Sequence, residues 1–562
     1  MNNGALTHNR PNSPQTPRQR TTLLCLVFTF CTLMFLTGCE QWPEEQAYYE
    51  VFTPHETTHR VENFKLTPAP DEPNEPNVVD TSPPEKIELT LEEARALALE
   101  NNLELKVDLI SPAIAAEKVS EEEAKFETLF YANSSLSKSD SPSVSYLDQI
   151  TGSQYSSIYS DLGVSMPLRT GGTLTFDLAD TRVKTDAQQT QFNPYYTSSG
   201  SLSLSQPLLR NAGERVNTHS IRIARYEQQI SDARTKLEVI RIIASIDRVY
   251  WRLDAARRLL EVRKEEHHLA QLQLEQARRF VGSGERAQVE VVRAEAGAAD
   301  KLEAIILAEK DLRDREREFK RVINKAGLPM QSPTVVIPGT KPIPVRYTFE
   351  GPGLVQQAMA NRMELLELEL QIAEDISTLD YAQNQTLPLV TLDYRYNMNG
   401  LGPQRHDSFD LLFDKRFESH RLGLQLQVPL GNEAARSRLL QAFYQRRQRL
   451  ASRNDRRALI ELEVLNAADQ VEANWQRILA SRQRTILNGR LYKAEQRQFE
   501  LGLRTSTDVL LAQTQFGNSQ SDEIQALAEY QISLVDLAYA TGTLLGSARI
   551  DWEPIVPETA VD

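Results

Sequence analysis

The sequence is short of several residue types, and each scarcity removes a class of function. Cysteine occurs three times, at Cys25, Cys31 and Cys39, all within the first 39 of 562 residues. The rest of the chain therefore holds no disulfide framework and no thiolate metal site. Positive charge is in deficit: 63 Lys+Arg face 77 Asp+Glu, a formal charge of −14. An acidic chain offers phosphates no basic field, so nucleic acid is not an expected partner. Beyond the N-terminus no apolar run reaches the roughly 18 residues a transmembrane helix needs, which excludes a bundle of such helices. Catalytic patterns are scarce too. Eight His occur; the His-x-x-x-His spacing appears at His55 and His59, in the proline-rich stretch with no helical period to present it, and there is no nucleophile elbow or Walker loop. His267-His268 are neighbours on a helix, about 100° apart, and cannot easily share a metal. No catalytic residue, metal ligand or cofactor is expected.

Proline is absent where it is most informative. None occurs over 208–328 or 430–553, stretches of 121 and 124 residues, which predicts very long helices. The charged run Asp311–Lys320 fits an exposed helix face stitched by i,i+4 pairs.

What is present begins with an address. Arg10, Arg18 and Arg20 precede an apolar run from Leu23 to Leu36, the pattern of an export signal. The run ends in Leu36-Thr37-Gly38-Cys39, similar to the lipobox of bacterial lipoproteins. Residues 1–38 are thus an expected signal peptide and Cys39 an expected lipidation site. The rule for such lipoproteins takes Glu40, in place of Asp, as favouring the outer membrane. Residues 39–86 are rich in Pro and acids and predict an extended tether.

The remainder is written twice. Ala98-Leu99-Glu100-Asn101-Asn102-Leu103-Glu104-Leu105 aligns with Ala358-Met359-Ala360-Asn361-Arg362-Met363-Glu364-Leu365. Repeat one spans 87–328, a linker 329–350, repeat two 351–546 and a tail 547–562. Each repeat predicts a leading helix (Leu91–Phe126, Gly353–Gln385), strands, a long helix (214–281, 434–501) and a return helix (287–324, 505–545). Repeat one offers four strand candidates within 129–207, repeat two offers two within 389–428. The long helices are each about 100 Å and twice the length of their neighbours. Lateral coiled-coil packing, with no globular core, is the expected arrangement. Between long and return helix each repeat turns at glycine: Gly282-Ser283-Gly284 in repeat one, Gly502 in repeat two.

The strand regions differ in chemistry from the helices. Residues 129–210 hold 11 charged residues, whereas 214–326 hold 44. Alternation is plain in Gly172-Thr173-Leu174-Thr175-Phe176-Asp177-Leu178-Ala179-Asp180. Such dyads, interrupted by turns, are the signature of a transmembrane β-barrel, though a soluble sandwich with one wet face alternates as well.

Three further motifs carry a resemblance. They are Pro-Leu at each strand-to-helix junction, Phe499-x-x-Gly502 followed by Asp508-Val509-Leu510-Leu511-Ala512-Gln513, and Ala540-Thr541-Gly542-Thr543-Leu544-Leu545-Gly546. Over about 86–550 the chain resembles the TolC-type outer-membrane efflux protein family, in particular its lipidated drug-efflux branch. The resemblance implies a mainly α fold with β: tandem helix–strands–helix repeats that, as a homotrimer, build an outer-membrane β-barrel continuous with a long periplasmic α-helical barrel. It implies a passive exit duct for efflux or type I secretion, met at its tip by a periplasmic adaptor protein and an inner-membrane transporter. Outer-membrane lipid would carry the acylated Cys39, with palmitate among its chains. At the tip the resemblance assigns Asp508 to a constriction, Arg504 to an ionic lock and Glu290 to the matching acidic position of repeat one. Phe499 is expected to pack at the turn and line the aperture. Some members have a second acid one turn after Asp508; here that place is Leu511. The family contributes two strands per repeat, so repeat one holds an extra hairpin turning at Arg169-Thr170-Gly171-Gly172. An outer-membrane-tethered coiled-coil scaffold, or an adaptor protein, is the alternative.

Overall fold

The structure, a computed structural model, describes residues 85–142, 150 and 152–551. The expected signal peptide, the tether up to residue 84 and Cys39 lie outside the described residues. Chain order begins with β1 (Lys86–Leu89), α1 (Leu91–Asn101), α2 (Leu103–Asp108), α3 (Ser111–Ala124), β2 (Leu129–Asp140), β3 (Gln154–Pro167), β4 (Thr173–Thr185) and β5 (Tyr195–Pro207). A short α4 (Glu214–Asn217) then leads into α5 (His219–Gly282), the return helix α6 (Val289–Ile323) and β6 (Val335–Pro338). The second half runs α7 (Gly351–Asn361), α8 (Met363–Gln385), β7 (Leu389–Gly402), α9 (Arg405–Phe413), β8 (Glu418–Gln427), α10 (Glu433–Glu500), α11 (Ser506–Ala540) and α12 (Leu544–Ser547).

Six strands form one antiparallel sheet in the order β2-β3-β4-β5-β7-β8. The extra hairpin β3–β4 is therefore an integral part of the sheet, paired on both sides. Alternation sorts the side chains onto two faces. Tyr131, Gly163, Asp177 and Ser201 stand in one cross-strand row. On their face Tyr131 donates to Asp177, Ser201 donates to Asp177 at 3.0 Å, and Ser205 donates to Asp393 at 2.6 Å. The opposite face carries Phe176, Leu178, Leu202, Leu204, Leu392, Leu422, Leu424 and Leu426, with the three β8 leucines each about two-thirds exposed. Among the described residues β2 and β8 each pair on one side only.

The helices run from the sheet's other end. α5 has 64 residues and α10 has 68, about 96 and 102 Å at ~1.5 Å per residue. α6 and α11, each 35 residues, fold back along them. The leading helices are not continuous, contrary to the expectation. Asn102 and Arg362 take extended backbone, ψ 125 and ψ 121, and break the two at equivalent places of the repeat. Asn102 accepts from Leu105 N–H as the cap of α2, and its amide donates to the Val322 carbonyl. In repeat one the long helix is also interrupted, at Thr218.

The expectation of a coreless bundle also needs correction. Part of the inter-repeat linker is strand β6, which pairs in parallel with β1 across the chain. Around this pair gather Tyr250, Phe319, Ile243, Ile246, Leu253 and Ile323, all fully buried. The Tyr250 hydroxyl donates to the Leu89 carbonyl and accepts from Thr340 N–H, tying both strands to α5. Beside it Arg95 forks onto Asp247, which is wholly buried, at 2.7 and 2.6 Å. This belt exists because two four-residue strands cannot persist alone; burial against aromatic side chains holds them.

Candidate functional site

Two features could carry function: the polar face of the sheet and the hairpin tips at the far end of the helices. Among the described residues no helix is long and apolar enough to cross a membrane.

Both tips close in the same way. Gly284 N–H donates to the Val281 carbonyl and Glu285 N–H to Phe280; Gly502 N–H donates to Phe499 and Leu503 N–H to Gln498. That pair of bonds is the Schellman stop, which needs a left-handed residue. Gly284 (φ +79) and Gly502 (φ +77) supply it. Gly282 is the last helical residue and has no such role. The tips therefore superpose with Gly284 on Gly502, Arg286 on Arg504 and Glu290 on Asp508, all 218 residues apart. Phe280 takes the place of Gln498, not of Phe499.

The charged residues then diverge. Glu290 is 8% exposed and accepts from the Ser506 N–H of the other tip at 3.0 Å, while pairing with Arg293 at 2.9 Å. It caps the N-terminus of α11, so it does not stand free at the aperture of its own chain. Arg286 donates to the Arg504 carbonyl at 3.1 Å and lies over the Phe499 ring, 5.5 Å from its centroid. Phe499 is 2% exposed and meets Phe280 edge-on, with centroids 5.9 Å apart. Its part is packing at the turn; within the chain its ring is covered.

Arg504 and Asp508 remain outward. Arg504 Nε donates to Gln498 Oε1 at 3.0 Å and stands 3.2 Å from Glu495. Asp508 is partly exposed and closes a capping box with Thr505: its Oδ2 accepts from Thr505 N–H at 3.0 Å and Thr505 Oγ1–H at 2.8 Å. Those two bonds hold its carboxyl below the usual carboxylate range, with Arg504 adding to the effect. Behind the tips Gln273 reaches the Ser506 carbonyl and Gln513 the Glu266 carbonyl, locking α5 to α11. These glutamines were not singled out in the sequence. Their signal, burial of an amide between two helices, is tertiary.

The outer membrane efflux protein family model matches residues 173–325 and 354–543, more than half of the chain. The chain belongs to that family. Outer membrane protein TolC of Vibrio cholerae is 23% identical over 308 residues, covering 54% of this chain and 68% of the relative. The structure is similar to that of the outer membrane protein VceC from Vibrio cholerae, with TM-score 0.59 and 16% identity over 80% of this chain and 96% of that one. It is likewise similar to the Campylobacter jejuni CmeC outer membrane channel, with TM-score 0.59 and 13% identity over 81% and 86%. The family fixes an outer-membrane efflux channel of TolC-like, mainly helical fold with strands, and not an enzyme.

Proposed function

We propose that the chain is one protomer of a homotrimeric channel, the passive exit duct of a tripartite efflux or type I secretion system. One observation carries this reading: a six-stranded sheet, apolar on one face, hydroxyl-rich on the other and unpaired at both edges, is joined to helices about 100 Å long. Open edges need partners, and copies of the same sheet supply them, β8 of one protomer against β2 of the next. An even strand number makes that junction antiparallel. Three six-stranded sheets would close as eighteen strands, the size range that leaves an aqueous channel. The apolar face meets lipid, and the Ser, Thr and Asp face lines the lumen.

The helices then form a periplasmic tunnel whose tips meet an adaptor protein and an inner-membrane transporter. Arg504 and Asp508 form the closed gate there, and a ring of Asp508 favours cations. Glu290 and Phe499 position the two turns behind it. Diacylated and N-acylated Cys39, palmitate included, anchors each protomer to outer-membrane lipid through the tether.

Single-channel recording of the purified trimer in planar bilayers tests the reading. Discrete conductance steps, abolished by deleting 129–207, are expected. A monomer without steps, released from membranes once Cys39 is Ser, would instead fit a tethered scaffold.

A further inference from the structure

The β7–β8 hairpin holds a helix that neither repeat pattern nor conduit function explains. α9 crosses the strands at the end of the sheet remote from the long helices. Its first residue, Arg405, pairs with Asp180 of β4 at 2.8 Å and lies over Tyr196 of β5. Ser408, fully buried, donates to Ser198 of β5 at 2.8 Å, and Ser198 donates to Asp180 at 3.4 Å. Leu412, also fully buried, sits over β7. The crossing is built in: a Cβ on Gly400 would fall 1.9 Å from the Ser408 carbonyl oxygen, and one on Gly402 would fall 2.6 Å from Asp407 Cβ. Only glycine at both positions admits the helix.

The face it lies on decides its surroundings. Asp180, Ser198 and Gly400 form one cross-strand row, and two residues nearer the long helices that row becomes Leu178, Gly200 and Met398. α9 therefore rests on the apolar face, just beyond its apolar band and above central strands, away from the edges where protomers meet. Asp407 marks its outer flank, beside Gly402. At about 100° per residue, Phe409 and Phe413 fall on the opposite flank, towards the band. The two rings stack with centroids 6.4 Å apart; Phe413 is 66% exposed and Phe417, just before β8, is 59% exposed.

Given the conduit reading, we infer that α9 is an interfacial helix lying in the plane of the outer leaflet, with Phe409, Phe413 and Phe417 seated at the boundary between lipid headgroups and acyl chains. Its partner is lipid. Aromatic side chains in a girdle and a helix with one apolar flank are the features that hold a protein at that depth. The glycine cradle and the Ser408–Ser198–Asp180–Arg405 chain fix its height against the barrel wall.

The test places nitroxide labels at Phe413→Cys and, separately, Asp414→Cys in the full-length protein with Cys25, Cys31 and Cys39 all changed to Ser, reconstituted in phospholipid vesicles. At 413 collision with oxygen should exceed collision with a water-soluble nickel chelate several-fold; at 414 the order should reverse. Gly400→Ala should drive the helix off the wall and return label 413 to the aqueous pattern. Equal aqueous accessibility at both positions in conducting vesicles overturns the proposal, as does exclusion of both reagents from 413, which would put the helix inside protein. Vesicles with no conductance from unlabelled protein overturn the conduit reading and this inference with it.

Discussion

The two hairpin tips end in the same Schellman turn and carry the same Arg and acid four residues apart, yet they use that pair in opposite ways. In repeat one Arg286 and Glu290 are consumed inside the chain: one bonds the Arg504 carbonyl, the other caps α11 through Ser506. In repeat two Arg504 and Asp508 face outward, held by Gln498 and Thr505 of their own tip. A duplicated unit has thus been divided into a buried brace and an outward-facing pair. Burial made the difference, because a carboxylate aimed at another helix's free N–H is withdrawn from solvent chemistry.

The largest expected effect separates the two halves of that comparison. Arg504→Ala or Asp508→Ala should raise the conductance of the closed trimer several-fold in bilayer recordings, while Glu290→Gln leaves it nearly unchanged. Comparable leakage from Glu290→Gln would mean that both pairs gate. On stability the order should invert. Glu290→Ala leaves Ser506 N–H uncapped at a buried site and is expected to cost about 2 kcal/mol in urea unfolding of the helical region, more than Asp508→Ala. Gly284→Ala and Gly502→Ala should each cost about 1 kcal/mol, and equally, since both sit at φ near +80; a clear inequality would break the equivalence of the turns. The smallest effect concerns pH. Asp508 has its carboxyl lowered from the ordinary 3.8, so the stabilising cap is complete above that value and is lost only as pH falls through the lower folded one. Cation preference, measured as a reversal potential across a salt gradient, should therefore be the same at pH 7 and pH 5.

Much of this was legible in the chain itself. The proline-free stretches set the long helices, and two-residue alternation set the strands, because both patterns repeat many times within one element. Asp508 and Arg504 were reachable through the motif beginning at Phe499. Other features required the folded molecule. β1 and β6 are four residues each and meet about 250 positions apart, so no local period announces them. The breaks at Asn102 and Arg362 fall inside otherwise helical patterns; only their shared place in the repeat hinted at a common geometry. The hairpin helix escaped because Gly400 and Gly402 look like the end of a strand, whereas their function is to vacate space for a backbone lying across them. The bond from Ser506 to Glu290 was hidden for a similar reason: spacing gives the position of Glu290 along the helix, not the partner across the seam.

The two unpaired edges of the sheet carry a consequence for biogenesis. A barrel made of one chain can seal itself as it enters the bilayer, at a rate independent of how many copies are nearby. Here β2 and β8 of a lone protomer keep a row of amide and carbonyl groups unsatisfied, a state hydrocarbon does not tolerate. In the proposed trimeric barrel insertion and association are therefore one event, and the yield of mature channel should climb more steeply than linearly with the supply of subunits.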